Sequence, residues 1–248
     1  MCDNKLKLNP DKTEFIVFTT ARNESKVSCD NLDLEGCSVS RANSVRNLGV
    51  IMDSALRMEE HVINICRVCY FYLSWIRKIR HVLTPSSAKS IVQALVISRL
   101  DYCNAVLVGL PNSLLEKLQR VMNTTTRVVT NSSYDASITQ MLKELHWLPI
   151  RYRINFKIAV VTFRSYHKLS PRYVFDMIQL YEPTRNLRSV NSRQLVVPRN
   201  RTRFGDRAFS HCAPIIWNSS PLDIRNCDSE PHFRKKLKTF LFRKAFGV

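Results

Sequence analysis

The chain has 248 residues, with 38 Lys+Arg against 20 Asp+Glu, a formal charge of +18 and a pI near 9.9. Apolar residues make up 45%, with only 5 Gly and 10 Pro, which excludes collagen-like, low-complexity and wholly disordered chains. No apolar run approaches the ~18 residues that span a bilayer, so no membrane partner is expected.

The charge is graded along the chain. Residues 1–110 carry a net +3, residues 111–180 a net +6 and residues 181–248 a net +9. Such a gradient favours a polyanionic partner, nucleic acid ahead of a membrane surface. An ordinary basic surface is the plainer alternative. The stretch from Met1 to Lys12 is polar and charged, unlike a signal peptide. The expectation is an intracellular protein, nuclear or cytoplasmic and not secreted, with its eight Cys reduced.

Residues 13–19 alternate and are rich in strand formers. A second short strand is expected near Leu32–Leu34, then a turn at Glu35-Gly36 into Cys37–Val39. Ser44–Met52 reads as one further strand, with a close backbone approach at Gly49. Helices follow. One spans about Met58 to Val82, with Val62, Ile65, Cys66, Cys69, Tyr70, Leu73, Ile76 and Ile79 on one face. Thr84-Pro85 caps the next, which runs to about Leu100. Pro111-Asn112 opens a third, with Leu114, Leu118, Val121, Met122, Thr125 and Val129 inward. Shorter or more buried helices are expected at Ile138–Leu145, Arg151–Lys168 and Pro171–Leu180. Residues 181–217 show no helical period, and Tyr181–Asn191 reads as a linker. Ser229 caps a final helix to about Phe246, with Phe233, Leu237, Phe240 and Leu241 as its apolar stripe. The fold class is therefore α+β, mostly α. A small β-rich piece over 1–55 precedes a helical bundle over 56–180 and an irregular, Arg-rich segment over 181–248 with a final helix.

Self-sufficient catalytic chemistry is hard to find. Cys66-x-x-Cys69 lies on the apolar face of a predicted helix and lacks the two further ligands that zinc needs, so both are read as core thiols. Glu59-Glu60 suits a helix start. His146, beside Trp147 and Pro149, has no nucleophile nearby and reads as a packed His. No small-molecule substrate is evident. Basic stripes are more informative. Lys117, Arg120 and Arg127 share one face of their helix, as do Arg153, Lys157, Arg164 and Lys168. Each face could track a phosphate backbone or simply be solvated. Arg185 to Arg207 holds seven Arg and no Lys, Arg199, Arg201, Arg203 and Arg207 among them. That bias favours contact with RNA or DNA, because Arg binds phosphate bidentately and stacks on bases. Phe204, Phe209 and Trp217 supply either stacking surfaces or, as the stronger reading, the core of a C-terminal unit.

Several blocks, in order, carry a family resemblance. Asn4–Phe15, Arg46-Asn47-Leu48-Gly49-Val50 with Asp53, Ser98–Asn104, Leu118-Gln119-Arg120-Val121, Leu145-His146-Trp147-Leu148-Pro149, Gly205–Phe209 and Trp217-Asn218-Ser219 resemble stretches of LINE-type (non-LTR) retrotransposon reverse transcriptases, jockey-like RNA-directed DNA polymerases. The resemblance implies the end of a palm with a primer-grip-like hairpin at Leu48 and Gly49, a helical thumb-like domain, and a basic C-terminal segment. Lys12 matches a palm lysine of that family, and the intact family enzyme uses Mg²⁺ held by aspartates. This sequence has no Asp-Asp pair, so it is expected to hold no cofactor and not to polymerise. The expected function is that of a truncated reverse transcriptase that binds template–primer nucleic acid through its backbone. A non-catalytic helical interaction or scaffolding protein derived from the same element is the alternative. Without the rest of a palm sheet, Phe15, Val17 and Val50 are expected to be exposed.

Overall fold

The structure, a computed structural model, describes residues 9, 12–20, 22–34, 37–182 and 193–247. The chain divides into two compact units, Met1–Ile65 and Cys66–Val248. It is mostly helical, with two small antiparallel sheets of two strands each.

In the first unit, β1 (Asn31–Leu34) pairs with β2 (Cys37–Ser40), placing Leu32 opposite Val39. The turn expected at Glu35-Gly36 lies outside the described residues. β3 (Ser44–Asn47) pairs with β4 (Val50–Asp53), placing Val45 opposite Met52. The single strand expected over 44–52 is thus a hairpin. Its turn residues Leu48 and Gly49 have φ of 46° and 83°, the paired positive angles of a type I′ turn. Leu48 lacks the usual Asn or Asp chemistry of that position, which hid the turn. The strand expected over 13–19 does not form either. Phe15 makes an isolated bridge to Arg41, its carbonyl accepting from Ala42 N at 2.7 Å, and Thr19 N donates to Ser54 O at 2.9 Å. Two anchor points hold this segment instead of a ladder. Val50, expected exposed, is buried, and Phe15 and Val17 are half-buried.

α1 (Glu59–Ile79) begins in the first unit, with Glu59 and Glu60 in its first turn. Asp53 prepares that start by accepting from Arg57 N at 2.9 Å and Met58 N at 2.7 Å. Val62, Ile65, Cys69, Leu73 and Ile76 are buried as the periodicity requires, but Tyr70 and Ile79 are exposed.

In the second unit, α2 (Pro85–Val92) starts as expected, with Thr84 Oγ1 accepting from Ser87 N at 3.1 Å and Pro in the first turn. A π segment over Gln93–Ile97 passes it into α3 (Ser98–Asp101). α4 (Asn112–Thr130) packs on α2, on α5 (Ile138–Glu144) and on α6 (Ile150–Tyr166). Ser137 caps α5. α7 (Arg172–Phe175) is a single turn. α8 (Phe209–Asn218) was not anticipated, since Pro214 lies inside it. α9 (Leu222–Arg225) and α10 (Glu230–Phe246) complete the order. Ser229 occupies the N-cap of α10, but its side chain accepts no capping bond.

α6 is central because it is apolar around most of its circumference. It contacts α4, α7, α8, α10 and the turn at 104–107. Its Ala159, Val160 and Phe163 share one core with Leu195, Trp217, Ile224, Phe233, Leu237 and Leu241. The Phe163 and Phe233 rings stack at 4.4 Å, and Trp217 stacks on Tyr166 at 5.4 Å. The segment expected to stand apart after residue 180 therefore shares its core with the helices before it. The linker reading of 181–191 falls mostly outside the described residues.

Candidate nucleic-acid interface

The structure separates the predicted cations into those already engaged and those that are not. On α6, Arg153 Nε donates to Asp101 Oδ1 at 2.7 Å, and its Nη2 also meets Asp101 Oδ2. Arg164 Nε donates to Glu230 Oε2 at 2.8 Å. Glu230 also takes Arg234 at 2.9 Å. The hydrogen bond from Arg164 leads the causes that hold the Glu230 carboxyl below its ordinary range. Lys168, past the end of α6 at φ 57°, places Nζ 5.7 Å from the Phe175 ring. The α6 stripe is therefore not one free basic face, because two of its members are paired by carboxylates from distant elements. Lys157 and Lys168 are both exposed and in no ion pair among the described residues, and of the two only Lys157 lies within α6.

On α4, Arg127 Nη2 donates to Tyr134 O at 3.0 Å and its guanidinium lies 4.7 Å from the Tyr134 ring. Lys117 is half-buried and Arg120 is exposed.

A cleft of about 560 Å³ opens in the second unit. α2 and the π segment bring Lys89, Gln93 and Ile97. α3 and the following turn bring Asp101 and Asn104. α6 brings Arg153, Phe156, Lys157 and Val160, and α10 brings Arg234 and Lys238; Leu145–Leu148 close the lining. Five cations face one carboxylate, and that carboxylate is already bound by Arg153. Lys89, Lys157 and Lys238, from three separate helices, are exposed and in no ion pair among the described residues. Fixed ammonium groups with so little compensating negative charge raise the local potential for an anion. Asn104 is 4% exposed, its Nδ2 donates to Asp101 Oδ1 at 3.4 Å, and its Oδ1 has no partner. Sequence reasoning missed Lys89 and Lys238. The spacing of Arg234 and Lys238 on one face of α10 was readable; their meeting with α2 and α6 was not.

The C-terminal arginines also divide. Arg199, Arg201 and Arg203 are exposed. Arg207 instead lies across Gly109, where its Nε donates to Val108 O at 3.1 Å and its Nη2 to Val106 O at 3.4 Å. Of the aromatics named for stacking, Trp217 is wholly buried, Phe209 half-buried and Phe204 42% exposed. Several of the sequence blocks turn out to brace the fold. Gln119 Oε1 accepts from Ile150 N at 2.9 Å, satisfying a free amide at the start of α6. Asn218 exchanges two bonds with the Leu195 backbone, at 2.9 and 2.8 Å, and Trp217 Nε1 donates to Arg193 O at 2.7 Å.

Leu48 and Gly49 form the exposed hairpin turn, and Lys12 is exposed. Cys69 is buried, and burial pushes its thiol up to about 12; Cys66, half-buried, is also raised by burial. Both behave as protonated core thiols. Seven cysteines among the described residues are free. His146 is exposed at φ 54°, its ring 5.8 Å from Phe242, so it is not a packed His. No group of three or more His, Cys, Asp or Glu gathers to hold a metal among the described residues. No helix among the described residues is long and apolar enough to cross a membrane.

Comparison with protein-family models, curated proteins and solved structures finds no match to this chain.

Proposed function

We propose that this chain binds nucleic acid through the phosphate backbone, without catalysing polymerisation, and that it is related to the thumb and C-terminal segment of LINE-type reverse transcriptases. The convergence of Lys89, Lys157 and Lys238 on one cleft carries the binding part of this reading. The charge of +18 and the exposed Arg199, Arg201 and Arg203 support it. The relation to reverse transcriptases rests on the ordered sequence blocks, and the lack of catalysis on the missing Asp-Asp pair. Lysines act here as point charges on phosphate oxygens, so the contact positions a strand without reading its sequence.

The test is a salt titration of affinity for a duplex and a single strand. About six phosphate contacts cost about three decades of affinity between about 50 and 200 mM salt. Replacing Lys89, Lys157 and Lys238 by Ala flattens the slope by about one unit per lysine. Absent or salt-independent binding removes this function and leaves the scaffolding reading.

A further inference from the structure

The α1 helix was read from its period as a core helix, yet one of its faces is open. Phe71 and Trp75 are each 57% exposed, and Val82 beyond the helix end is 70% exposed. Phe71, Trp75 and Lys78 are spaced four and three residues apart, which aligns them along one side of a helix. The Phe71 and Trp75 rings lie 6.1 Å apart, tilted by 56°. Lys78 Nζ sits 5.1 Å from the Trp75 ring. Tyr70, on the adjoining strip, is also exposed. These are large apolar surfaces to leave in water without a partner.

The charge around them selects the partner's chemistry. Between Glu60 and Asp101 there is no Asp or Glu at all, while Arg67, Arg77, Lys78, Arg80, Lys89 and Arg99 fall in that interval. Not all six are open to a ligand. Arg80 is committed to the carbonyls of Val128, Leu83 and Val129, and Arg99 to Leu95 O and the Tyr72 ring. Lys78 remains exposed beside Trp75, while Arg77 is exposed on another side of the helix. Open aromatic faces beside a cation, within a stretch of forty residues (61–100) that holds no carboxylate, suit a ligand with flat π faces on a polyanionic backbone.

We infer that Phe71 and Trp75 of α1 form a stacking platform for the unpaired bases of a single-stranded nucleic acid, with Lys78 on its phosphates. The inference rests on the nucleic-acid-binding function proposed above and adds a preference to it. A duplex keeps its bases stacked on one another and has nothing to offer these rings. A single strand presents every base.

The tryptophans provide the readout. Trp147 and Trp217 are buried at 7% and 0% exposure, so a ligand that quenches emission by stacking acts on Trp75. The probes are an oligo(U) strand of about 12 nucleotides and a duplex of matching length, within the usual site sizes of single-strand binders. The strand quenches tryptophan emission and the duplex does not. Trp75→Ala abolishes the quench and weakens single-strand binding about tenfold, with duplex affinity unchanged. Phe71→Ala weakens the strand similarly while keeping the fluorophore. Both side chains are largely exposed, so a circular-dichroism melt matching the parent confirms that neither change acts through folding. Salt-dependent binding of both polymers with no quench, and with single-strand affinity unmoved by Trp75→Ala, overturns the platform and leaves the proposed function standing. Binding of neither polymer overturns both. If Trp75→Ala instead dissolves a dimer and leaves nucleic-acid affinity intact, the face belongs to a second copy of the chain and the inference is wrong.

Discussion

The two units order themselves by different means. The first, Met1–Ile65, relies on local pairing: two hairpins of four-residue strands, a two-point anchorage of residues 15–19, and few fully buried side chains. The second relies on contacts far apart in sequence, with α6 packed on α8 and α10 around stacked aromatic rings. Isolated two-stranded hairpins are marginal in water, whereas a shared aromatic core is cooperative. The difference implies that damage to the core spreads through the second unit, while damage to a turn stays local.

Trp217→Ala breaks the comparison most severely. Its side chain is wholly buried, stacks on Tyr166 and Phe233, and holds Arg193 O. Loss of about 3–5 kcal/mol is expected, from the transfer and cavity terms, read in a urea titration. The 193–247 segment should become protease-sensitive together with α6; cleavage in the C-terminal segment alone, with α6 still protected, would show that the shared core is not one cooperative unit.

Gly49→Val probes the local regime. A β-branched residue at φ 83° in the type I′ turn costs about 1–3 kcal/mol, paid within the hairpin. Hydrogen exchange should speed up in β3 and β4 and stay unchanged in α6. Acceleration throughout the second unit would contradict the division.

The smallest effect is a pH dependence. His61 is 4% exposed; its Nδ1 accepts from Ile51 N at 3.4 Å and its Nε2 has no partner. Burial, aided by Arg46, holds its pKa below 6.5. The folded state therefore binds fewer protons than the unfolded one. Stability is full above pH 6.5 and is lost as pH falls from there through the lowered pKa. His167 is lowered too, by burial first, and works in the same direction in the second unit. His61→Leu should flatten the pH dependence of hairpin protection while His167 keeps that of the helical unit. An unchanged pH profile in the variant would remove His61 as its source.

Much of this architecture was legible. The Thr84-Pro85 start, the face of α4 and the burial of α6 follow from capping chemistry and period, which are local properties. The hairpin at Leu48 was missed because its first turn residue is apolar, and α8 because Pro214 sits inside it. The candidate site was legible only in part. Spacing put Arg153, Lys157 and Arg164 on one face, but only the tertiary fold brings Asp101 and Glu230 to neutralise two of them. The same fold gathers Lys89 and Lys238 around the third. Charge compensation between distant elements has no signature in a single sequence. Three of the ordered blocks that carry the family resemblance also hold residues that brace the fold: Gln119 on α6, Asn218 on Leu195, Arg207 over Gly109.

The most direct measurement is the salt dependence of nucleic-acid affinity for the parent chain beside the Lys89→Ala, Lys157→Ala, Lys238→Ala triple variant. The account expects a steep parent slope that flattens by about three units in the variant, because each lysine that meets a phosphate releases about one counterion. Equal slopes for the two proteins would show that the cleft does not meet the backbone.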